Sequence, residues 1–330
     1  MHIQYLIIGQ GIAGTLVSHA LWRDGKDFLL LDDGNKSTAS HTAAAIINPL
    51  AGKHLKPDPN AMPVIEQAAA TYRALEELLG CSLLHSMEMY YFPEDKATML
   101  HFAAQQLQYP EYFSSSPGIS QLENYFSIPY TPGIIKGLFQ ADAPLLLAQW
   151  RNFLEQQQRI ITMVFDREKL VVGSNNIEYE GITADKIIFC DGAAGMDNPW
   201  LKHIPFTANR GDALLLDIPG LPADVLYEHG LRLAPYTDKL FWYGSNYRWN
   251  YTDLNPDNTW AAYAVRLLKG WLKLPFEVKE HKVAARPTTA GQKVFAGIHP
   301  EISSIAYLAG LGTRGFSWGP FWAEKLAATL

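Results

Sequence analysis

Apolar residues near the start of the chain fall into two short blocks, Tyr5-Leu6-Ile7-Ile8 and Phe28-Leu29-Leu30-Leu31, each of which stops abruptly at a glycine or an acid. Unbroken apolar runs of this length predict strands buried on both faces, as in a parallel sheet. The stretch between them predicts a helix ended by Gly25. From Met62 to Gly80 the period changes, with Val64, Ala68, Tyr72, Leu75 and Leu79 at helical spacing, which predicts a long amphipathic helix. Between Leu83 and Gln140 that period gives way to aromatics, prolines and short runs such as Met89-Tyr90-Tyr91-Phe92. These predict strands of a second domain. Leu145 to Gln158 predicts another helix, and Ile160 to Val172 predicts strand pieces broken by a turn at Asp166-Arg167. Lys186 to Cys190 predicts a buried strand closed by Asp191-Gly192-Ala193-Ala194-Gly195. Alternation in Ala213 to Asp217 and Lys239 to Tyr243 predicts antiparallel sheet, and Trp260 to Trp271 a helix. Ile305 to Ala309 predicts a last strand, followed by the turn Gly310 to Phe316 and a helix to Leu330. The cluster Trp242, Tyr243, Tyr247, Trp249 and Tyr251 is expected in the core and at the interface between domains, or in part as an aromatic wall for substrate.

The first strand and helix are joined by Gly9-Gln10-Gly11-Ile12-Ala13-Gly14. Gly9 permits a tight turn, Gly11 lets the backbone approach a pyrophosphate at the helix N-terminus, and Gly14 lets helix and strand pack closely. Asp32, with Asp33 beside it, closes the second strand about 20 residues further on, where a carboxylate takes ribose hydroxyls. A packing turn can carry the same glycines. The strand before, the helix after and the acid at this distance favour a dinucleotide. The small-residue stretch Ser40, Thr42, Ala43, Ala44, Ala45 to Ile47 lets backbone lie close to a flat ligand. The last strand, glycine turn and helix repeat the opening logic, so the two ends of the chain are expected to share that ligand.

Composition narrows the partner. The 330 residues are 48% hydrophobic and 12% aromatic, enough for a sizeable core, with net charge −6 and no basic block. Nucleic acid is therefore not expected as a partner. Cys81 and Cys190 are the only cysteines, and no histidine spacing resembles a metal site, so neither a disulfide framework nor a metal is expected. No leader pattern and no membrane span is legible. A cytoplasmic protein is expected, of unspecified oligomeric state and without a repeat of 20 to 50 residues.

These blocks, in this order, resemble the D-amino-acid oxidase superfamily of FAD-dependent oxidoreductases, which includes glycine oxidase and monomeric sarcosine oxidase. Gly9 to Gly14 and Asp32 resemble its FAD motif, Ser40 to Pro49 its loop along the flavin, Ile187 to Gly192 its second FAD strand, and Arg210-Gly211 its recurring R-G. Arg286-Pro287-Thr288-Thr289 resembles R-P-x-T, and Gly310-Leu311-Gly312-Thr313-Arg314-Gly315 the final glycine loop. That ending is also similar to the oxidase domain of the bifunctional enzymes that modify 5-aminomethyl-2-thiouridine in tRNA. No methyltransferase pattern accompanies it here, so that activity is kept as an alternative. Two departures stand out: Ala290-Gly291-Gln292-Lys293 replaces the aspartate and proline that often follow R-P-x-T, and Thr42 occupies the position where some relatives attach FAD through a histidine. The resemblance implies an α/β (α+β overall) fold: a Rossmann-like FAD-binding domain from 1–82, 140–206 and 286–330, and an antiparallel-sheet substrate domain from 83–139 and 207–285. It further implies non-covalent FAD held by Gly9, Gly11, Ile12, Ala13, Gly14, Asp32, Asp33, Ser40, Thr42, Ala43, Ala44, Ala45, Ile47, Val164, Cys190, Asp191, Gly192, Arg286, Gly310, Gly312, Thr313, Arg314, Gly315 and Phe316.

The chemistry implied is hydride transfer from a carbon bearing an amine to flavin N5, with the imine hydrolysed by water. No separate catalytic triad is needed, and none is assigned. Arg286 is the first candidate for a substrate carboxylate, since a guanidinium offers two parallel donors; an ion pair between the domains is its structural alternative. Arg314 is the second candidate, or else it holds its own loop. Tyr247 and Arg248 are placed where the substrate sheet faces the flavin, though packing or exposure explains them equally. Lys53, His54 and Lys56 reach toward substrate or form a solvated turn. The same scaffold supports an FAD-dependent 2-hydroxy-acid dehydrogenase, or a flavin-binding subunit without turnover.

Overall fold

The structure, a computed structural model, describes residues 1–51, 54–115 and 118–330. Its first sheet has eight strands. Five of them run parallel, in the spatial order Ile305–Ala309, Ile182–Phe189, His2–Ile8, Phe28–Asp32 and Ile160–Thr162. Side chains alternate across this sheet. Ile7, Leu30, Ile188, Ala306 and Leu308 pack under the helices Ile12–Arg23, Ala61–Leu79, Ala143–Gln156 and Gly315–Ala327. Leu6, Ile8, Leu29, Leu31, Ile187 and Phe189 fill the opposite face. With both faces covered, the strands read as continuous apolar runs.

The second sheet has nine strands, in the order Glu277–Arg286, Asn209–Asp217, Phe241–Gly244, Leu231–Pro235, Leu226–His229, Leu84–Tyr91, Gly133–Ala141 and Ile46–Ile47, with Phe113–Ser115 also on Gly133–Ala141. One pair breaks the expected antiparallel pattern: Leu226–His229 runs parallel to Leu84–Tyr91. Leu214 and Leu216 face the helix Asn258–Trp271, while Ala213 and Leu215 face Ala44 and Leu50 of the small-residue loop. The second sheet thus turns one face toward the turns of the first.

Three local expectations need correction. Lys96–Gln108 is a helix, although the sequence from Leu83 to Gln140 shows no helical period. It buries only Phe102 and Gln105 and is started by Asp95 and Thr98, each capping the other's backbone amide. The strand expected from Lys239 begins at Phe241, after a short 3-10 turn. Of the five clustered aromatics, Trp242 and Tyr243 are buried, whereas Tyr247 and Trp249 are 61% and 52% exposed.

His19 lies inside the first core, edge-on to Trp150 at 5.6 Å between ring centroids. Burial, reinforced by Arg23, holds its pKa down at about 4 against an ordinary 6.5. A histidine depressed in the folded state leaves stability intact above pH 6.5 and withdraws it as pH falls toward 4, here on the order of 3 kcal/mol. Urea unfolding at pH 7 and pH 4.5 should show this loss, and His19→Gln should shrink it. An unchanged difference in the variant would clear His19 of the effect.

Candidate functional site: four turns at one sheet edge

The parallel strands end together. Ile8 leads to Gly9, Asp32 closes its own strand, Phe189 leads to Cys190 and Asp191, and Ala309 leads to Gly310. Backbone bonds from Gly9 N to Leu31 O (2.8 Å) and from Cys190 N to Ile8 O (2.9 Å) lock three of these ends together. The carboxyl edge of an open parallel sheet is where such folds take ligands.

Sterics explain the glycines. Gly9 has φ +93°, and a Cβ there would meet Cys190 O at 2.8 Å. A Cβ on Gly14 would overlap Gly9 O, and one on Gly11 would stand 3.0 Å from Ser40 Oγ. Gly315 packs so tightly on Ile12 that a Cβ would meet its Cγ2 at 2.9 Å, which sets the starts of the opening and closing helices side by side. Their N-caps, Gly11 and Arg314, supply no side-chain cap. Ser40 Oγ accepts from Ile12 N at 2.9 Å, and the amides of Ala13, Gly14 and Phe316 that follow are offered to an anion. Two helix starts whose amides beyond Ile12 lack side-chain caps, with an acid nearby, fit the pyrophosphate and ribose of a dinucleotide.

That acid is Asp32. Its Oδ2 accepts from Gln10 N and its Oδ1 from Gly34 N and Arg151 Nη1, each at 2.8 Å. Asp33 is exposed and bonds only Asn35 N. Arg151 was not legible in the sequence, since it arrives from Ala143–Gln156 with no motif around it. Val164 is 74% exposed, one residue beyond Met163, whose N–H donates to Asp32 O.

The small-residue loop is held from the second sheet. Thr42 O accepts from Trp242 Nε1 (2.8 Å), Ala44 O from Gln140 Nε2 (3.0 Å) and His41 O from Tyr236 OH (3.0 Å). Ala43 is half-buried, Ala45 sits at φ +52°, and Ile47 is a core residue in a short strand against Phe139. Cys190 is buried against Gly14, and burial pushes its thiol pKa up, so it is no nucleophile. Asp191 is likewise raised by burial; it accepts from Asn198 Nδ2 (3.0 Å) and lies 3.8 Å from Arg167 Nη2, while Gly192 opens a 3-10 turn. Gly310 and Gly312 have positive φ, Thr313 is exposed, and Phe316 is buried with its carbonyl accepting from Tyr72 OH.

The basic candidates separate. Arg314 stands 3.6 Å from Asp58. Arg248 pairs with Asp257 at 2.7 Å and is spent there. Lys53 lies outside the described residues, and His54 and Lys56 are exposed. Arg286 is different. Its guanidinium donates to Asn209 Oδ1 (2.6 Å), Asn246 O (3.2 Å) and Ser245 Oγ (2.8 Å), all neutral, and stacks 4.8 Å from the Tyr247 ring. Burial pulls its pKa below the ordinary value, and no carboxylate among the described residues pairs with it. Arg286 and Asn209 share the sheet face that carries Ala213 and Leu215, the face turned to Ala44 and Leu50. Two open clefts, of about 900 and 780 Å³, flank residues 246–257 but are lined by none of the glycine turns. The glycine turns converge at the sheet edge, apart from both clefts.

A parallel sheet with glycine turns at its carboxyl edge, and a second sheet that carries the Arg286 guanidinium among neutral partners, suits a dinucleotide-binding scaffold. Residues 4–329 match the family model described as DAO, FAD dependent oxidoreductase, and the chain belongs to that family. It is an FAD-dependent oxidoreductase. It is 26% identical over 335 residues to the tRNA 5-methylaminomethyl-2-thiouridine biosynthesis bifunctional protein MnmC of Caulobacter sp. (strain K31), covering 98% of this chain. The chain spans about half, 54%, of that relative's length. Its fold is shared with iminodiacetate oxidase from Chelativorans sp. BNC1 (TM-score 0.77, 20% identity, 99% of this chain and 95% of that one). Glycine oxidase from Bacillus cereus ATCC 14579 is similar too (TM-score 0.80, 16% identity, 98% and 94%). Among the described residues no helix is long and apolar enough to cross a membrane.

Proposed function

We propose that this enzyme oxidises the C–N bond of a small amino acid or secondary amine that carries a carboxylate. The observation that carries this reading is Arg286: a half-buried guanidinium with neutral partners only, on the sheet face turned toward the cofactor loop. Leaving such a cation without an acid is costly, and an incoming carboxylate relieves that cost. Bound FAD supplies the hydride acceptor. Arg286 orients the substrate, Tyr247 walls the guanidinium, and the uncapped start of Gly315–Ala327 favours negative charge on whatever lies against it. The names of two fold neighbours, glycine oxidase and iminodiacetate oxidase, support an amine-bearing acid as the substrate class. The net charge of −6 favours a small molecule over nucleic acid, and a cytoplasmic setting suits the reduced cysteines.

Mild denaturation should release intact FAD, as the threonine at position 42 implies, and flavin retained on precipitated protein would contradict non-covalent binding. The activity is tested by anaerobic bleaching of the flavin with amino acids, N-methyl amino acids, iminodiacids and 2-hydroxy acids. Bleaching by the amines is expected. Bleaching by hydroxy acids alone would make the enzyme a hydroxy-acid dehydrogenase, and bleaching by none would point to a flavin-binding subunit.

A further inference from the structure

Arg210 and Gly211 face opposite sides of one strand, and both bear on Arg286. Side chains alternate across Asn209–Asp217, so Asn209 and Gly211 share the flavin-facing side with Arg286, while Arg210 and Asp212 point the other way. Arg286 pairs in register with Asn209, and its guanidinium runs on to lie flat over Gly211. A Cβ at residue 211 would overlap Nη2, Cζ and Nη1 of Arg286, its three nearest atoms.

The other side of the strand fixes the loop that holds the guanidinium in place. Arg210 is 3% exposed and Asp212 fully buried, and they form a two-pronged pair at 2.9 and 3.1 Å. Arg210 also donates to Asp253 O (3.0 Å) and Asn255 O, and its backbone exchanges two bonds with Arg248. Asp212 N donates to Asn246 Oδ1 (2.7 Å), Asn246 Nδ2 returns a bond to Asp212 Oδ2 (3.1 Å), and His281 Nε2 stands 3.0 Å from Oδ1. Asn246 is the residue whose carbonyl accepts from Arg286, between Ser245 and Tyr247, which also touch it.

We infer that Arg210, Gly211 and Asp212 are positioning residues for the substrate carboxylate. Gly211 leaves the seat in which the Arg286 guanidinium lies, and the buried Arg210–Asp212 pair holds the 245–247 loop that fixes its direction. This rests on the reading that Arg286 binds a carboxylate. None of the three need touch substrate or FAD.

The test uses FAD-loaded protein and two small probes, acetate and its neutral isostere acetamide, titrated against the visible flavin spectrum. Wild type should bind acetate at least ten-fold tighter than acetamide, and Arg286→Ala should bring the ratio near one. Gly211→Ala should lose the preference as fully as Arg286→Ala does, with FAD content unchanged, and Asp212→Asn should lose part of it. If Gly211→Ala alone fails to fold, the double variant Gly211→Ala/Arg286→Ala should fold and bind FAD, because the group that Cβ would strike is gone. A wild-type acetate preference retained in Gly211→Ala, or a double variant that fails as the single one does, would overturn the inference while leaving Arg286 in its role. Equal or absent binding of both probes by wild type would remove the carboxylate reading and the inference together.

Discussion

Arg286→Ala should lower kcat/KM for a carboxylate-bearing amine by roughly 30-fold or more, from a loss of about 2 to 5 kcal/mol of transition-state binding. The size follows from what is left behind. Substrate carboxylate would enter a site where Asn246 O can only accept and where the Ser245 hydroxyl and the Asn209 amide offer neutral donors in place of a charged, two-pronged one. Arg286→Lys should recover only part, because an ammonium supplies charge without the planar fork that bridges Asn209 and Ser245. Steady-state kinetics of both variants, with FAD content and melting temperature unchanged, checks this. Near wild-type turnover in Arg286→Ala would eliminate the assignment and make Arg314 the next residue to change.

Asp32→Ala should weaken FAD binding by roughly 30- to 1000-fold, from about 2 to 4 kcal/mol, as charge-assisted bonds at the ribose are lost. The side chain also organises its surroundings. It accepts the amide of Gln10 in the glycine turn and of Gly34 beyond the strand, and it neutralises Arg151, which the variant leaves half-buried without this partner. Asp32→Asn keeps an acceptor for one amide and should lose less. Titration of apoprotein with FAD, followed by flavin fluorescence, gives the affinities. Equal affinity in wild type and Asp32→Ala would exclude Asp32 from ribose binding.

Much of the geometry of the glycine turns is legible in the sequence because its determinants are local. The glycines at 9, 11 and 14 answer to sterics within one strand–helix turn, and Asp32 closes an apolar run that any reading of periodicity finds. The seat of Arg286 is the opposite case. Asn209, Ser245 and Asn246 come from segments about 40 to 77 residues away from it in sequence and have no pattern of their own, since a neutral hydrogen-bonding set forms only when strands are brought into register. Arg151 escaped for the same reason. The helix Lys96–Gln108 was missed because so little of it is buried that no apolar stripe was required; only its capping pair marked it. Tyr247 and Trp249 lie next to a core strand, where aromatics suggest core, interface or a substrate wall alike; they sit past its end, exposed, on a loop tied down by polar bonds.

The neighbouring starts of the opening and closing helices carry a consequence for how the protein is made. Ile12 meets Gly315, and the Tyr5 hydroxyl donates to the carbonyl of Leu330, so the pocket floor joins residues separated by nearly the whole chain. During synthesis the nucleotide motif emerges first and then waits for its other half. No flavin can be clasped on both sides until residues beyond 316 have cleared the ribosome, and a fold with so many distant pairings is assembled slowly. FAD binding at these turns should therefore stabilise the docking of the helix Gly315–Ala327 against Ile12–Arg23.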